Sequence, residues 1–127
     1  MTKRDALKNI LQTIPDLELA VLIGSQADGT ATPRSDWDIA VLWERHITAL
    51  ERLQYMEILK QKIADVIAIH RDKIDLIDMV SARLTMRAVI AEEGVVLKGG
   101  ETLVWIHFLT KTWGELEDYY WRLAHAA

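Results

Sequence analysis

The stretch Leu22–Leu42, "LIGSQADGTATPRSDWDIAVL", decides how the rest of the chain is read. An apolar run stops at Gly24-Ser25. After ten intervening residues, Asp36-Trp37-Asp38 opens a second apolar run. The pattern is strand, polar turn, strand. Carboxylates at the mouth of a buried strand are costly unless a metal, a cation or good hydrogen bonds hold them. Successive strand residues face opposite sides of a sheet, so Asp36 and Asp38 share one side while Trp37 anchors the other. Two carboxylates so spaced can hold a hard divalent cation, or two cations if a third carboxylate joins them. Asp75 in "DKIDLIDMV", residues 72–80, is the candidate third. Asp78 is a reserve, three residues on and therefore on the opposite face of a straight strand.

Gly24-Ser25 complements these acids. Glycine after a strand permits a tight turn and close approach of another group. Exposed N–H groups in such a turn, or at a following helix start, can cradle phosphate oxygens, and the Ser25 hydroxyl adds a donor. Arg34 and Ser35 can either contact phosphate or brace the turn. Metal-binding carboxylates facing a phosphate cradle make a site for a metal-bound triphosphate.

The chain has 127 residues, half of them hydrophobic, which is enough for one domain spanning 1–127 with one core. No apolar stretch is long enough to span a membrane. The N-terminus carries charges through its apolar positions and reads as an amphipathic helix, not a signal peptide. Absence of cysteine excludes disulfides, thiolate zinc sites and a cysteine nucleophile, and suits a cytoplasmic location. A net charge of −4 argues against general binding to nucleic-acid backbones.

Periodicity predicts a helix over 3–13 capped by Thr2, with Leu7, Ile10, Leu11 and Ile14 inward and Pro15 ending it. Strands follow over 18–23 and 36–43. A long helix within 47–69 carries Leu50, Leu53, Met56, Ile63 and Ile67 near helical spacing. A third strand within 72–80, a helix over 81–93 stopped by Gly94, a strand over 95–98 and a terminal amphipathic helix over 101–124 complete the order. This is an α/β or α+β domain: four strands in a mixed sheet flanked by helices, core 18–98. On the last helix, Trp105, Phe108, Leu109, Trp113, Leu116, Tyr120 and Leu123 follow the period. Its aromatics exceed what one face of so small a domain buries, which marks a candidate partner surface. His46, His70, His107 and His125 show no ligand spacing and read as loop or surface residues.

Gly24-Ser25, ten residues, then Asp36-x-Asp38, with Asp75 in "KIDLID" and "EEGVVL" after a helix, resembles the minimal nucleotidyltransferases (MNT) of the polymerase-beta-like superfamily. The resemblance covers residues 18–98. It implies ATP and magnesium, two ions being the expectation, with Asp36, Asp38 and Asp75 as metal-binding and catalytic residues. Gly24, Ser25, Arg34 and Ser35 would contact the nucleotide. Asp75 would ligate a metal or take the proton of the attacking hydroxyl. Such proteins are often antitoxins that transfer AMP to a tyrosine of a HEPN-domain RNase toxin. Here only the terminal helix is left to grip an acceptor, which favours a protein acceptor. Two alternatives stay open: an antitoxin acting by occlusion alone, and an enzyme modifying a small hydroxylated molecule such as an aminoglycoside.

Overall fold

The computed structural model describes residues 1–126. Five helices and four strands alternate along it: α1 (Lys3–Gln12), β1 (Leu17–Ile23), α2 (Ser25–Asp28), β2 (Trp37–Trp43), α3 (Ala49–Ile67), β3 (Ile74–Asp78), α4 (Leu84–Glu93), β4 (Val95–Lys98) and α5 (Leu103–Ala124). The strands form one sheet in the order β3-β2-β1-β4. β1 pairs antiparallel with both β2 and β4, whereas β2 and β3 run parallel. The sheet is therefore mixed, as expected from the sequence. Parallel neighbours need a crossover, and α3 supplies it. Among the described residues, no helix is long and apolar enough to cross a membrane.

Local chemistry starts the helices. Thr2 accepts the Asp5 N–H at 3.0 Å while the Asp5 carboxylate accepts the Thr2 N–H at 3.0 Å. Thr48 and Glu51 repeat this reciprocal cap on α3. These caps hold the Asp5 and Glu51 carboxyls below their ordinary values, through hydrogen bonds to the carboxylate form.

Alternation on the strands divides the core in two. On one face Ala20, Leu22, Trp37, Ile39, Val41 and Trp43 pack against Leu7 and Leu11 of α1 and Leu59, Ile63 and Ile67 of α3. On the other, Leu19, Val21, Ile23 and Ala40 pack with Ile90 of α4 and with Val104, Trp105 and Phe108 of α5. Each fully buried Leu or Ile contributes about 1.5–3 kcal/mol.

Three features differ from the sequence expectation. Leu50 and Leu53 are 69% and 68% exposed, so they are not core. The first turns of α3 run beyond the sheet, and only its second half is buried. Met56 and Tyr55 are the transition: the Trp43 indole N–H donates to Met56 Sδ at 3.3 Å, and its ring lies 5.4 Å from that of Tyr55. α4 begins at Leu84 rather than 81, because Asp78 holds a turn after β3 by accepting the N–H groups of Val80 and Ser81. On α5 only Thr112 is fully buried, and Trp113, Tyr120 and Leu123 are exposed despite their period.

Candidate active site

β2 begins at Trp37, so Asp36 lies in the residue leading into it. Trp37, Ile39, Val41 and Trp43 point to the α1/α3 face. Asp38 alternates with them and shares the opposite face with Ala40 and Leu42. On β3 the same alternation sends Ile74 and Leu76 to the α1/α3 face and Asp75 to the same face as Asp38. The parallel register pairs Asp38 directly with Asp75. The antiparallel register pairs Asp38 with Ile23, the residue before Gly24. The sheet thus brings Gly24, Asp38 and Asp75 together across three neighbouring strands. α4 and α5 cover this face chiefly over β1, leaving the Asp75 end open.

Gly24 adopts φ +73° and ψ −157°, a conformation that L side chains rarely take. A Cβ there would lie 2.7 Å from Asp38 Oδ2. Gly24 is therefore fixed both by the turn and by the carboxylate resting on it. It leads straight into α2, a single helical turn within a segment whose composition predicts only a polar turn region. Ala27 and Asp28 donate back to the Gly24 carbonyl at 3.0 and 3.2 Å, and Arg4 of α1 donates to the Gln26 carbonyl. Ser25 is the first residue of that turn and is partly buried.

The loop to β2 is tied internally. Asp28 accepts from the Thr30 N–H and hydroxyl, which lowers its pKa. Ser35 Oγ accepts the Thr32 N–H at 2.8 Å, the bracing role. Lys73, which no sequence motif singles out, donates to the Arg34 carbonyl at 2.9 Å. The Arg34 guanidinium is exposed and makes no hydrogen bond or ion pair among the described residues.

Burial, then the charges of Asp75 and of Asp36, push the Asp38 carboxyl above its ordinary value. None of the three aspartates is ion-paired with a Lys or Arg among the described residues, so their mutual repulsion has no internal remedy. The oxygen-only donor set and the uncompensated charge fit a hard divalent cation. Their carboxylate oxygens do not all lie within 4.8 Å of one another, unlike the two carboxylate oxygens and the imidazole nitrogen offered by Asp16, Glu44 and His46. Asp78 plays a structural part instead. Its Oδ2 accepts from Arg52 Nε of α3 at 3.1 Å, on the opposite face from Asp75.

The Asp16–Glu44–His46 group lies at the other end of β1 and β2. Leu17 pairs with Trp43, and Glu44 N–H donates to the Asp16 carbonyl at 3.0 Å, which sets these residues side by side. The hairpin register is the one sequence signal for it. Glu44 approaches His46 Nδ1 at 3.0 Å and Asp16 approaches Nε2 at 4.0 Å. The carboxylates thus lie nearest to different nitrogens of an exposed imidazole.

The polymerase beta nucleotidyltransferase family matches residues 5–101. The protein adenylyltransferase MntA of Aphanizomenon flos-aquae (strain 2012/KM1/D3) is 29% identical over 101 residues, covering 74% of this chain and 65% of that protein. The chain thus spans just under two thirds of that relative's length. A chain of a toxin–antitoxin crystal structure with AMP-PNP is 28% identical, with a TM-score of 0.71 over 95% of this chain and 93% of that one. A chain of the complex between tri-AMPylated Shewanella oneidensis HEPN toxin and MNT antitoxin is 25% identical, with a TM-score of 0.65 over 97% and 94%. With the matching fold and the match over residues 5–101, the chain belongs to the polymerase beta nucleotidyltransferase family.

Proposed function

We propose that this chain, acting as one domain in the cytoplasm, is an antitoxin that transfers AMP from ATP to a hydroxyl of a HEPN-domain toxin and so silences it. The observation that carries the reading is the alignment of Asp38 with Asp75 across β2 and β3, beside the Gly24 turn. The similarity to an adenylyltransferase and to chains of toxin–antitoxin complexes supports the acceptor class.

Asp36, Asp38 and Asp75 would hold magnesium, which when bound supplies charge neutralisation for the phosphates and the departing pyrophosphate. The turn at Gly24-Ser25 would bind phosphate oxygens through its N–H groups and the Ser25 hydroxyl. Arg34, exposed and unpaired among the described residues, would add a cation at the loop. The acceptor oxygen attacks the α-phosphorus, a new P–O bond forms, and the bond to pyrophosphate breaks. The hydroxyl proton leaves to Asp75 or to water. The protein contributes mainly positioning and preorganised charge, as is usual for phosphoryl transfer.

The test is co-expression with the protein encoded by the neighbouring gene, followed by intact-mass measurement. Wild-type chain should add AMP-sized increments to that partner, and a chain carrying both Asp36→Asn and Asp38→Asn should add none. A partner left unmodified, yet bound and silenced by both versions, would mean occlusion instead.

A further inference from the structure

The second half of α5 extends away from the body, and every residue from Glu117 to Ala124 is exposed. Tyr119, Tyr120, Trp121 and Leu123 are among them. Beside the first half lies a groove of about 890 Å³, between α5 and the ends of β2 and β3. Arg45 and Lys111 give it cations, Glu18 and Glu44 line its other parts, and Met79, Val80 and Leu103 give it apolar walls. One molecule thus carries a projecting helix rich in acids and aromatics, and a groove suited to receive such a helix.

A single line along α5 connects the two. His107, Lys111, Gly114, Asp118 and Trp121 recur at alternating steps of four and three residues, which places them on one face. All five are exposed. Laid antiparallel against its own copy and centred on Gly114, this line sets Lys111 opposite Asp118, His107 opposite Trp121, and Gly114 opposite Gly114. A parallel pairing would instead set Lys111 against Lys111 and Asp118 against Asp118. Within its own chain Lys111 has no ion pair among the described residues, and Asp118 has only Arg122, one turn on, at 2.9 Å. Gly114 weakens the helix interior, and a Cβ added there would meet nothing within 4 Å. The chain itself gives no packing reason for that glycine, whereas a second backbone crossing at that point does.

We propose that α5 pairs antiparallel with α5 of a second copy, crossing at Gly114, so that each tail, with Asp118 and Trp121, seats in the other copy's groove. The contact is two-fold and closed, and each Lys111–Asp118 pair occurs twice. Of the large exposed side chains, Trp121 lies on that line and Tyr119 and Leu123 on the side of it that faces the body, each half exposed or more. At ~200 Å² per large side chain this leaves roughly 340 Å² to bury. The groove walls add to it and bring the total toward the ~600 Å² per side at the lower end of specific interfaces. The inference does not rest on the transfer reading, since the aspartates take no part in it.

The test is sedimentation equilibrium of the full chain alone, without nucleotide or partner, over a wide concentration range. The expected mass is twice the 14.5 kDa of one chain. Lys111→Glu and Asp118→Arg should each weaken the dimer at least tenfold, and the double variant should restore it. Gly114→Leu should give a monomer that melts higher than the wild-type monomer, which a general loss of structure cannot produce. A chain that stays monomeric at every concentration overturns the proposal. So does a dimer indifferent to Lys111→Glu and Gly114→Leu.

Discussion

Asp38 and Asp75 face each other across the one parallel strand pair of the sheet, with Gly24 backed against the Asp38 carboxylate. Neutralising either Asp36 or Asp38 should therefore remove the reaction while sparing the fold. Asp36→Asn and Asp38→Asn should each lower AMP transfer by about 10²-fold or more. Thermal melting should stay within about 2 °C of wild type or rise, because a repulsive charge is gone. A rate near wild type in either variant would remove both residues from the chemistry.

The raised pKa of Asp38 makes a signed prediction. Its neutral form is preferred in the fold, so its contribution to stability is full below the ordinary carboxyl value of 3.8 and is lost as pH rises through the raised value. Denaturant unfolding of wild type and Asp38→Asn across pH 3.5 to 7 should show the variant gaining relative stability as pH rises. Millimolar magnesium at pH 7 should raise the melting temperature of wild type and leave Asp38→Asn almost unmoved. In wild type that gain should fade on acidification, as Asp38 protonates.

Gly24→Ala should damage stability and activity together. The positive φ disfavours any side chain, and the new methyl would collide with Asp38 Oδ2. A loss of about 1–2 kcal/mol and a transfer rate at least tenfold lower are expected, read by urea unfolding and by intact mass.

Asp75 and Asp78 lie three residues apart and should fail in opposite ways. Asp78 bonds Arg52 and caps the turn after β3, with both side chains about one-fifth exposed. Asp78→Ala should lower stability by about 1.5–3 kcal/mol and leave transfer within a few-fold. Asp75→Asn should lower transfer and leave stability unchanged. Parallel melting and transfer assays of the two variants decide it.

The strand–turn–strand unit around Gly24 and Asp38 was legible because period-two alternation and a glycine stop are local signals. Asp75 was legible as the acid in a third strand, although only the register of β3 against β2 set it beside Asp38. α2 was not legible: a single turn has no period, and hydrogen bonds to the Gly24 carbonyl define it. Leu50 and Leu53 misled because helical spacing says which residues share a face, not how far along the helix the sheet reaches. The meeting of Asp16, Glu44 and His46 depends on hairpin register, which joins residues far apart in the sequence.

The β1–β2 ladder changes register once, between Leu17 and Leu19, at the end remote from Asp38. From Leu19 to Ile23 the pairing is uninterrupted. A bulge absorbs an extra residue locally, whereas a one-residue slip within a regular ladder turns every side chain to the other face. A single-codon insertion near Glu18 should then be accommodated. The same insertion between Trp37 and Ile39 would turn tryptophan toward the nucleotide side and aspartate into oil. Length variation among descendants of this chain is thus channelled to one end of its hairpin.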